Sequence, residues 1–304
     1  KINEKTVKDS YRIPTIDELI DALGGSSWFA TLDLSSGYHQ VEIEPEDRCK
    51  TAFTAGPLGF FQYTRMPFGL TNAPALFQRL MEKVLADCHL RTCLIYLDDV
   101  VVFGKSADEL KERLEVIFSK LQQAGLKLKP EKCEFFHRKL KYLGFVVSDQ
   151  GVECDPSMIE PVKTWPPPQD VKDLQKFIGF ANFFRRFIKG FASIAEPMTS
   201  LLGSQVKKNG KKGAQKKKPK EWVWGPQQQA ALENLKSALT SQPLLSYPDF
   251  SKPFIVRTDA STTGLGAVLL QDLGDKAGPN VIAYGSRSLK PSEKHYSPYK
   301  LEFL

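Results

Sequence analysis

A chain of 304 residues, 41% hydrophobic and 25% charged, has the make-up of soluble globular protein and room for two domains or three small ones. It holds no apolar run of about eighteen residues, which excludes a membrane-spanning helix. The net charge of +7 suggests a nucleic-acid partner, but removing the eight lysines between Gly203 and Lys220 takes +7 to −1. That segment reads either as a solubilising linker or as a tether for a phosphate backbone.

Cys49, Cys88, Cys93, Cys133 and Cys154 are scattered, match no zinc spacing and read as reduced thiols. The chain opens Lys1-Ile2-Asn3 with no Met or signal peptide, and closes in a helical pattern at Tyr299–Leu304. It is expected to be a piece of a longer polyprotein.

In chain order, Thr15 as cap, Glu18 three residues later and Gly24 after the last apolar position predict a short helix with a capping box. It feeds an apolar strand, Trp28 to Leu32, that ends in Asp33 and is followed by Ser35, Ser36 and Gly37. Small residues there allow close backbone approach to a ligand. Residues 41–64 read as a hairpin broken at Gly56-Pro57-Leu58-Gly59. Asn72 as cap and Pro74 in the first turn start a helix to about Leu85.

Next, Asp98-Asp99 interrupts the apolar run Leu94–Phe103. Unpartnered buried carboxylates are costly, so the run predicts strands Leu94–Leu97 and Val100–Phe103 with both acids at the turn. An Asp-Asp pair alone is ordinary turn chemistry. Together with Asp33 it could hold two magnesium ions, which in such sites stand ~3.5–4 Å apart. Ser106 caps an amphipathic helix to Gln123, with Leu110, Leu114, Ile117 and Leu121 on one stripe. Trp165-Pro166-Pro167-Pro168 breaks the chain, and Asp170 caps a helix from Val171 to about Ile188. A helix from about Gln227 to Thr240 precedes a strand ending in Asp259 and its hairpin partner, Gly264–Leu270.

Leu32-Asp33-Leu34-Ser35-Ser36-Gly37-Tyr38-His39-Gln40 with Tyr96-Leu97-Asp98-Asp99 resembles motifs A and C of reverse transcriptases. The wording is most similar to gypsy-type LTR retrotransposons. Arg65–Gln78 resembles the family's Pro-Phe-Gly-Leu-x-Asn-Ala-Pro block, with Phe68 where retroviral enzymes have Gln. Gly125–Phe135 resembles motif D, Leu140–Phe145 motif E, Leu174–Phe183 the thumb helix, and Asp259 to Glu302 the opening of a ribonuclease H domain.

The resemblance implies an α+β right-hand polymerase followed by the start of an RNase H-like α/β domain. Fingers and palm would cover 1–151, the thumb 152–202, a Lys-rich linker and connection 203–252, and the RNase H-like part 253–304. The basic fingers segment would lie upstream of Lys1. Asp33, Asp98 and Asp99, with the Leu34 carbonyl, would bind two Mg²⁺, for which Mn²⁺ could substitute. Lys132, preferred over Lys129, would protonate pyrophosphate. Leu34, Ser35, Ser36 and Gly37 would line the triphosphate pocket through backbone amides, with Phe68, Gly69 and Leu97 beside the nucleotide and Tyr38 as sugar gate. Pro74, Gln78, Leu143, Gly144, Gln175, Gly179 and Phe183 would touch template or primer, and Arg185 and Arg186 would be available for phosphates. Asp259 and Glu302 would be metal carboxylates of the RNase H part, which is expected to be inactive because its two further aspartates lie past Leu304.

Expected partners are template with primer, RNA/DNA hybrid and dNTPs, in the cytoplasm within retroelement particles. A different class is a catalytically inactive remnant or host-recruited nucleic-acid-binding protein, but decay would be expected to strike the carboxylates and all three are intact. An RNA-dependent RNA polymerase would favour a small or polar residue over Tyr38. Plant pararetroviruses fit the same motifs.

Overall fold

In a computed structural model, residues 2–203, 222–274 and 278–304 are described. The Lys-rich segment therefore lies outside the described residues. Contacts divide the chain into two units: Lys1–Leu143 with Val147–Asp149, and Gly144–Val146 with Gln150–Leu304.

In the first unit, α1 (Ile2–Lys5) is followed by α2 (Ile16–Asp21), where Thr15 and Glu18 form the capping box. Strand β1 (Trp28–Asp33) comes next. The expected hairpin over 41–64 shrinks to β2 (Phe53–Thr54) and β3 (Phe60–Phe61), because Pro45 opens a 3-10 helix over Pro45–Thr51. Helix α3 (Ala73–Val84) precedes β4 (Cys93–Tyr96), β5 (Asp99–Gly104) and α4 (Ala107–Gln123). Ser106 caps α4 by accepting from Glu109 N–H. Asn72 precedes α3 without capping it; its side chain instead bonds the Val7 carbonyl and the Asp9 amide. Strands β6 (Glu134–His137) and β7 (Lys139–Tyr142) complete the unit up to its boundary.

One antiparallel sheet, in the order β4-β5-β1-β6, carries the unit. Side chains alternate across a strand. Ala30, Leu32, Val100 and Val102 share the core with Phe77 and Met81 of α3 and Leu110, Leu114 and Ile117 of α4. The same alternation sends Thr31 and Asp33 of β1, and Asp99 and Val101 of β5, to the face away from that core. The carboxylates are thus excluded from the apolar layer by register alone.

After β8 (Phe145–Ser148), where the division falls, come β9 (Gly151–Cys154), α5 (Pro156–Lys163), α6 (Val171–Phe183), α7 (Phe191–Gly203) and α8 (Pro226–Thr240). α6 ends five residues before Ile188; a 3-10 turn over Arg185–Phe187 carries the apolar pattern onward. The antiparallel sheet β10 (Phe254–Ala260), β11 (Gly264–Gln271) and β12 (Asn280–Ser288) precedes a short α9 (Pro298–Leu301). Among the described residues no helix is long and apolar enough to cross a membrane.

Candidate active site

Register decides the first feature of the site. Asp33 is the Cα partner of Asp99 across β1 and β5, and Tyr96 faces Asp99 from β4. Directly opposed residues of an antiparallel pair have Cβ atoms ~4.5–5.5 Å apart, and like charges there are unfavourable. Asp98 adds a third carboxylate in the turn between β4 and β5. Burial pushes the Asp99 carboxyl above its ordinary range, and the charges of Asp98 and Asp33 push it further, with Lys132 opposing.

The Lys132 ammonium bonds Asp33 Oδ2 at 3.0 Å, and that bond holds the lysine above its usual range. Among the described residues no three His, Cys, Asp or Glu side chains form a ready metal-ligand group. The donor set itself, carboxylate oxygens without thiol or imidazole, suits a hard cation such as Mg²⁺. Asp33, Asp99, Lys132, Tyr142 and Leu143 line a cavity of about 240 Å³. Leu143, with φ +49, thus stands beside the carboxylates.

The loop after Asp33 is pinned. The Asp33 carbonyl accepts from Lys129 N–H at 2.9 Å, and Ser35 N–H donates to the Lys127 carbonyl at 3.0 Å. Leu34 sits in an isolated antiparallel bridge with Leu128. The Ser35 amide is therefore spent, which corrects the expectation that all the amides of 34–37 face a phosphate. Gln40, which sequence reasoning passed over, ties the same loop down. Its amide donates to the Ser35 and Lys127 carbonyls at 2.8 and 2.9 Å and accepts from Lys127 N–H at 2.7 Å. Ser36 is left-handed at φ 50. A Cβ on Gly37 would lie 2.9 Å from the Phe77 ring and 3.5 Å from Asp98 Cβ, so the glycine lets this loop approach the carboxylate turn.

Tyr38 is half-buried, with its ring 5.3 Å from Phe68 and edge-on to Phe77 at 5.5 Å. Phe68 is exposed; Gly69, at φ +88, accepts from Asn3 Nδ2 through its carbonyl. Pro74 is half-buried in the first turn of α3. Gln78, expected at the template, is instead wholly buried. Its Oε1 accepts from Leu97 N–H at 2.6 Å and its Nε2 donates to the Ile95 carbonyl at 3.2 Å. The polar groups of the β4–β5 turn need partners in an apolar surround, and Gln78 supplies them.

The other expected contacts lie in the second unit. Phe183 stacks on Phe145 at 5.3 Å and would meet a Cβ on Gly144 at 3.1 Å, while Gln175 and Gly179 are exposed on α6. Arg185 donates to the Ser286 carbonyl. Asp259 and Glu302 line one cavity of about 390 Å³ with Ser286 and Arg287. Glu302 stands at the C-cap of α9 rather than within the helix.

Comparison with known proteins agrees with this architecture. Residues 1–147 match the family described as reverse transcriptase (RNA-dependent DNA polymerase), and residues 224–304 match the RNase H-like domain found in reverse transcriptase. The chain is similar to the retrovirus-related Pol polyproteins from transposons 297 and gypsy of Drosophila melanogaster. Identities are 39% and 38%, covering 100% of this chain but 27% and 28% of the polyproteins. A Tf2-3 transposon polyprotein of Schizosaccharomyces pombe is 33% identical over 100% of this chain and 22% of its own length. The chain thus spans between a fifth and a third of these relatives.

Among solved structures, foamy viral protease-reverse transcriptase dRH in complex with double-stranded DNA superposes with TM-score 0.85 at 24% identity, over 99% of this chain and 50% of that one. Foamy viral protease-reverse transcriptase with an RNA/DNA hybrid gives 0.78 at 25% identity, over 99% and 39%. The fold is that of a right-hand polymerase followed by an RNase H-like region. Residues 1–147 thus carry a reverse transcriptase domain and residues 224–304 an RNase H-like domain, and over its whole length the chain is similar to retrotransposon Pol polyproteins.

Proposed function

We propose that this chain is an RNA- and DNA-directed DNA polymerase whose reaction centre is the group Asp33, Asp98 and Asp99. The observation that carries the reading is the Asp33–Asp99 pairing across β1 and β5, an electrostatic liability that a bound cation would turn into a binding site. Divalent cations held by these carboxylates and the Leu34 carbonyl would activate the primer 3′-hydroxyl and neutralise the triphosphate. The carboxylates fix position, and Lys132, charged at neutral pH, is placed to give a proton to departing pyrophosphate. Tyr38, braced by Phe77, limits the sugar pocket, and Phe68 and Gly69 flank the nucleotide.

Under this reading the partners are template with primer, RNA/DNA hybrid and dNTPs, and the setting is a cytoplasmic retroelement particle. Thumb contacts would come from Gln175, Gly179 and Phe183, and Asp259 and Glu302 would belong to the RNase H-like metal site.

Primer extension on poly(rA)/oligo(dT) with Mg²⁺, comparing the chain with its Asp98→Asn/Asp99→Asn variant, tests the reading. Extension is expected to fall by at least ~10³-fold in the variant, the scale of losing metal-assisted charge stabilisation. Equal extension by both would overturn the site. Hybrid binding without extension by either would point to a nucleic-acid-binding remnant or to dependence on the basic fingers segment expected upstream of Lys1, which adding upstream residues would separate.

A further inference from the structure

Three side chains form one bonded line from the N-terminal segment to the turn that carries Asp98. Gln78 bonds both the Leu97 amide and the Ile95 carbonyl. Its Nε2 also donates to Glu82 Oε1 at 2.7 Å, and the other Glu82 oxygen accepts from the Tyr11 hydroxyl. Gln78 and Glu82 are four apart on α3, so both lie on one face of the helix.

Leu97 is where this line bears on the site. Its φ of +57 is left-handed, a conformation unfavourable for an ordinary L-residue, and it immediately precedes Asp98. Such a residue persists where its surroundings over-determine it. The Gln78 amide does so only in one orientation, Nε2 towards Glu82 and Oε1 towards Leu97. The Glu82 carboxylate, the Ile95 carbonyl and the Leu97 amide set that orientation together, two acceptors facing Nε2 and one donor facing Oε1.

Tyr11 is itself fixed. Its ring lies 4.9 Å beneath the Arg79 guanidinium, which pairs with Asp9 at 2.5 Å. Asp9 Oδ1 accepts from Tyr11 N–H at 3.1 Å. Asn3 and Asn72 lace the same segment to residues 69–72 through bonds of 2.8–3.1 Å.

We infer that Tyr11, Glu82 and Gln78 form a positioning relay through which residues 2–12 hold the Leu97–Asp98 turn in its left-handed geometry. None of the three touches the reacting atoms. The relay deepens the polymerase reading and rests on it for any consequence in turnover, whereas its effect on the Leu97 amide stands apart from that reading.

Tyr11→Phe and Glu82→Gln are compared with Arg12→Gln, a change at an exposed neighbour that pairs only with Glu18 among the described residues. Amide hydrogen exchange at Leu97 is read first, then kcat and KM for primer extension. Both relay variants are expected to speed Leu97 exchange about tenfold and lower kcat by about tenfold with KM within about twofold, the pattern of a misplaced reaction centre. Arg12→Gln should move neither. If Tyr11→Phe fails to fold, Glu82→Gln, which keeps side-chain shape, carries the comparison. Unchanged Leu97 exchange in the folded relay variants, or the same acceleration in Arg12→Gln, would overturn the relay. A wild-type chain that extends no primer would sink the polymerase reading while the exchange data still decided the relay.

Discussion

Asp99, one of the three carboxylates proposed to bind metal, shows how a candidate functional residue can work against the fold that presents it. Its carboxyl is raised above the ordinary 3.8 by burial and by the charges of Asp98 and Asp33. The folded state therefore binds the Asp99 proton more tightly than the unfolded state does. The stability this contributes is complete below 3.8 and is lost as pH rises through the raised value. Asn at this position carries no charge. Asp99→Asn is expected to raise the melting temperature in metal-free buffer at pH 7, and to leave it nearly unchanged at about pH 3.5, where the wild-type residue is protonated too. Thermal melts of both proteins at the two pH values make the check. A lower melting temperature for the variant at pH 7 would mean that Asp99 is stabilised by its surroundings and that the cluster needs no cation to relieve it.

At the scale of elements, legibility in the sequence tracked how local the cause was. The capping box at Thr15 and Glu18 and the Ser106 cap are set by residues within a few positions and stand where their signals lie; the two strands around Asp98-Asp99 also form, but Leu97 falls in the turn and Asp99, expected there, opens β5 because it pairs with Tyr96 and Asp33. Asn72 was read as a cap because of its place before an apolar stripe, yet its side chain serves residues more than sixty positions upstream. The family resemblance implies a template contact for Gln78, and nothing local signals that α3 buries it against the β4–β5 turn. α7, with Pro197 inside it, and β12 carried no signal that separates them from loop. The periodicity of α6 ran on past Phe183 because Phe184, Phe187 and Ile188 are buried although the α-helix has ended. Gly37 is a case where composition pointed the right way for a reason visible only in three dimensions: it is the point where the loop after β1 meets α3. Gly37→Ala would press a methyl to within 2.9 Å of Phe77, itself 0% exposed and unable to yield freely. Such overpacking is expected to cost about 1–3 kcal/mol in chemical denaturation. Unaltered stability would show that the loop has slack there.

Over the whole molecule, the basic excess is confined to one stretch of the sequence. The eight lysines of residues 203–220 carry the entire basic excess, and the rest of the chain is close to neutral. A near-neutral polymerase can still grip a duplex through local cationic contacts, each of which contributes its own share of the salt dependence. Each phosphate that lysine neutralises releases condensed counterions and steepens the fall of log K with log salt by ~0.7–0.9. Replacing those eight lysines with glutamine therefore separates the two roles of the segment. As a tether that engages phosphates, it should lose several units of slope while primer extension at low salt persists, since all three carboxylates of the proposed reaction centre lie in residues 33–99. As a solubilising linker, it should leave the slope intact and lower solubility instead. We expect the slope to fall, because a run of cations with no acid among them has no intramolecular partner within its own length and a hybrid duplex is the densest anion this chain would meet. Hybrid binding titrated between 50 and 300 mM salt, about a twofold change in Debye length, gives the answer directly.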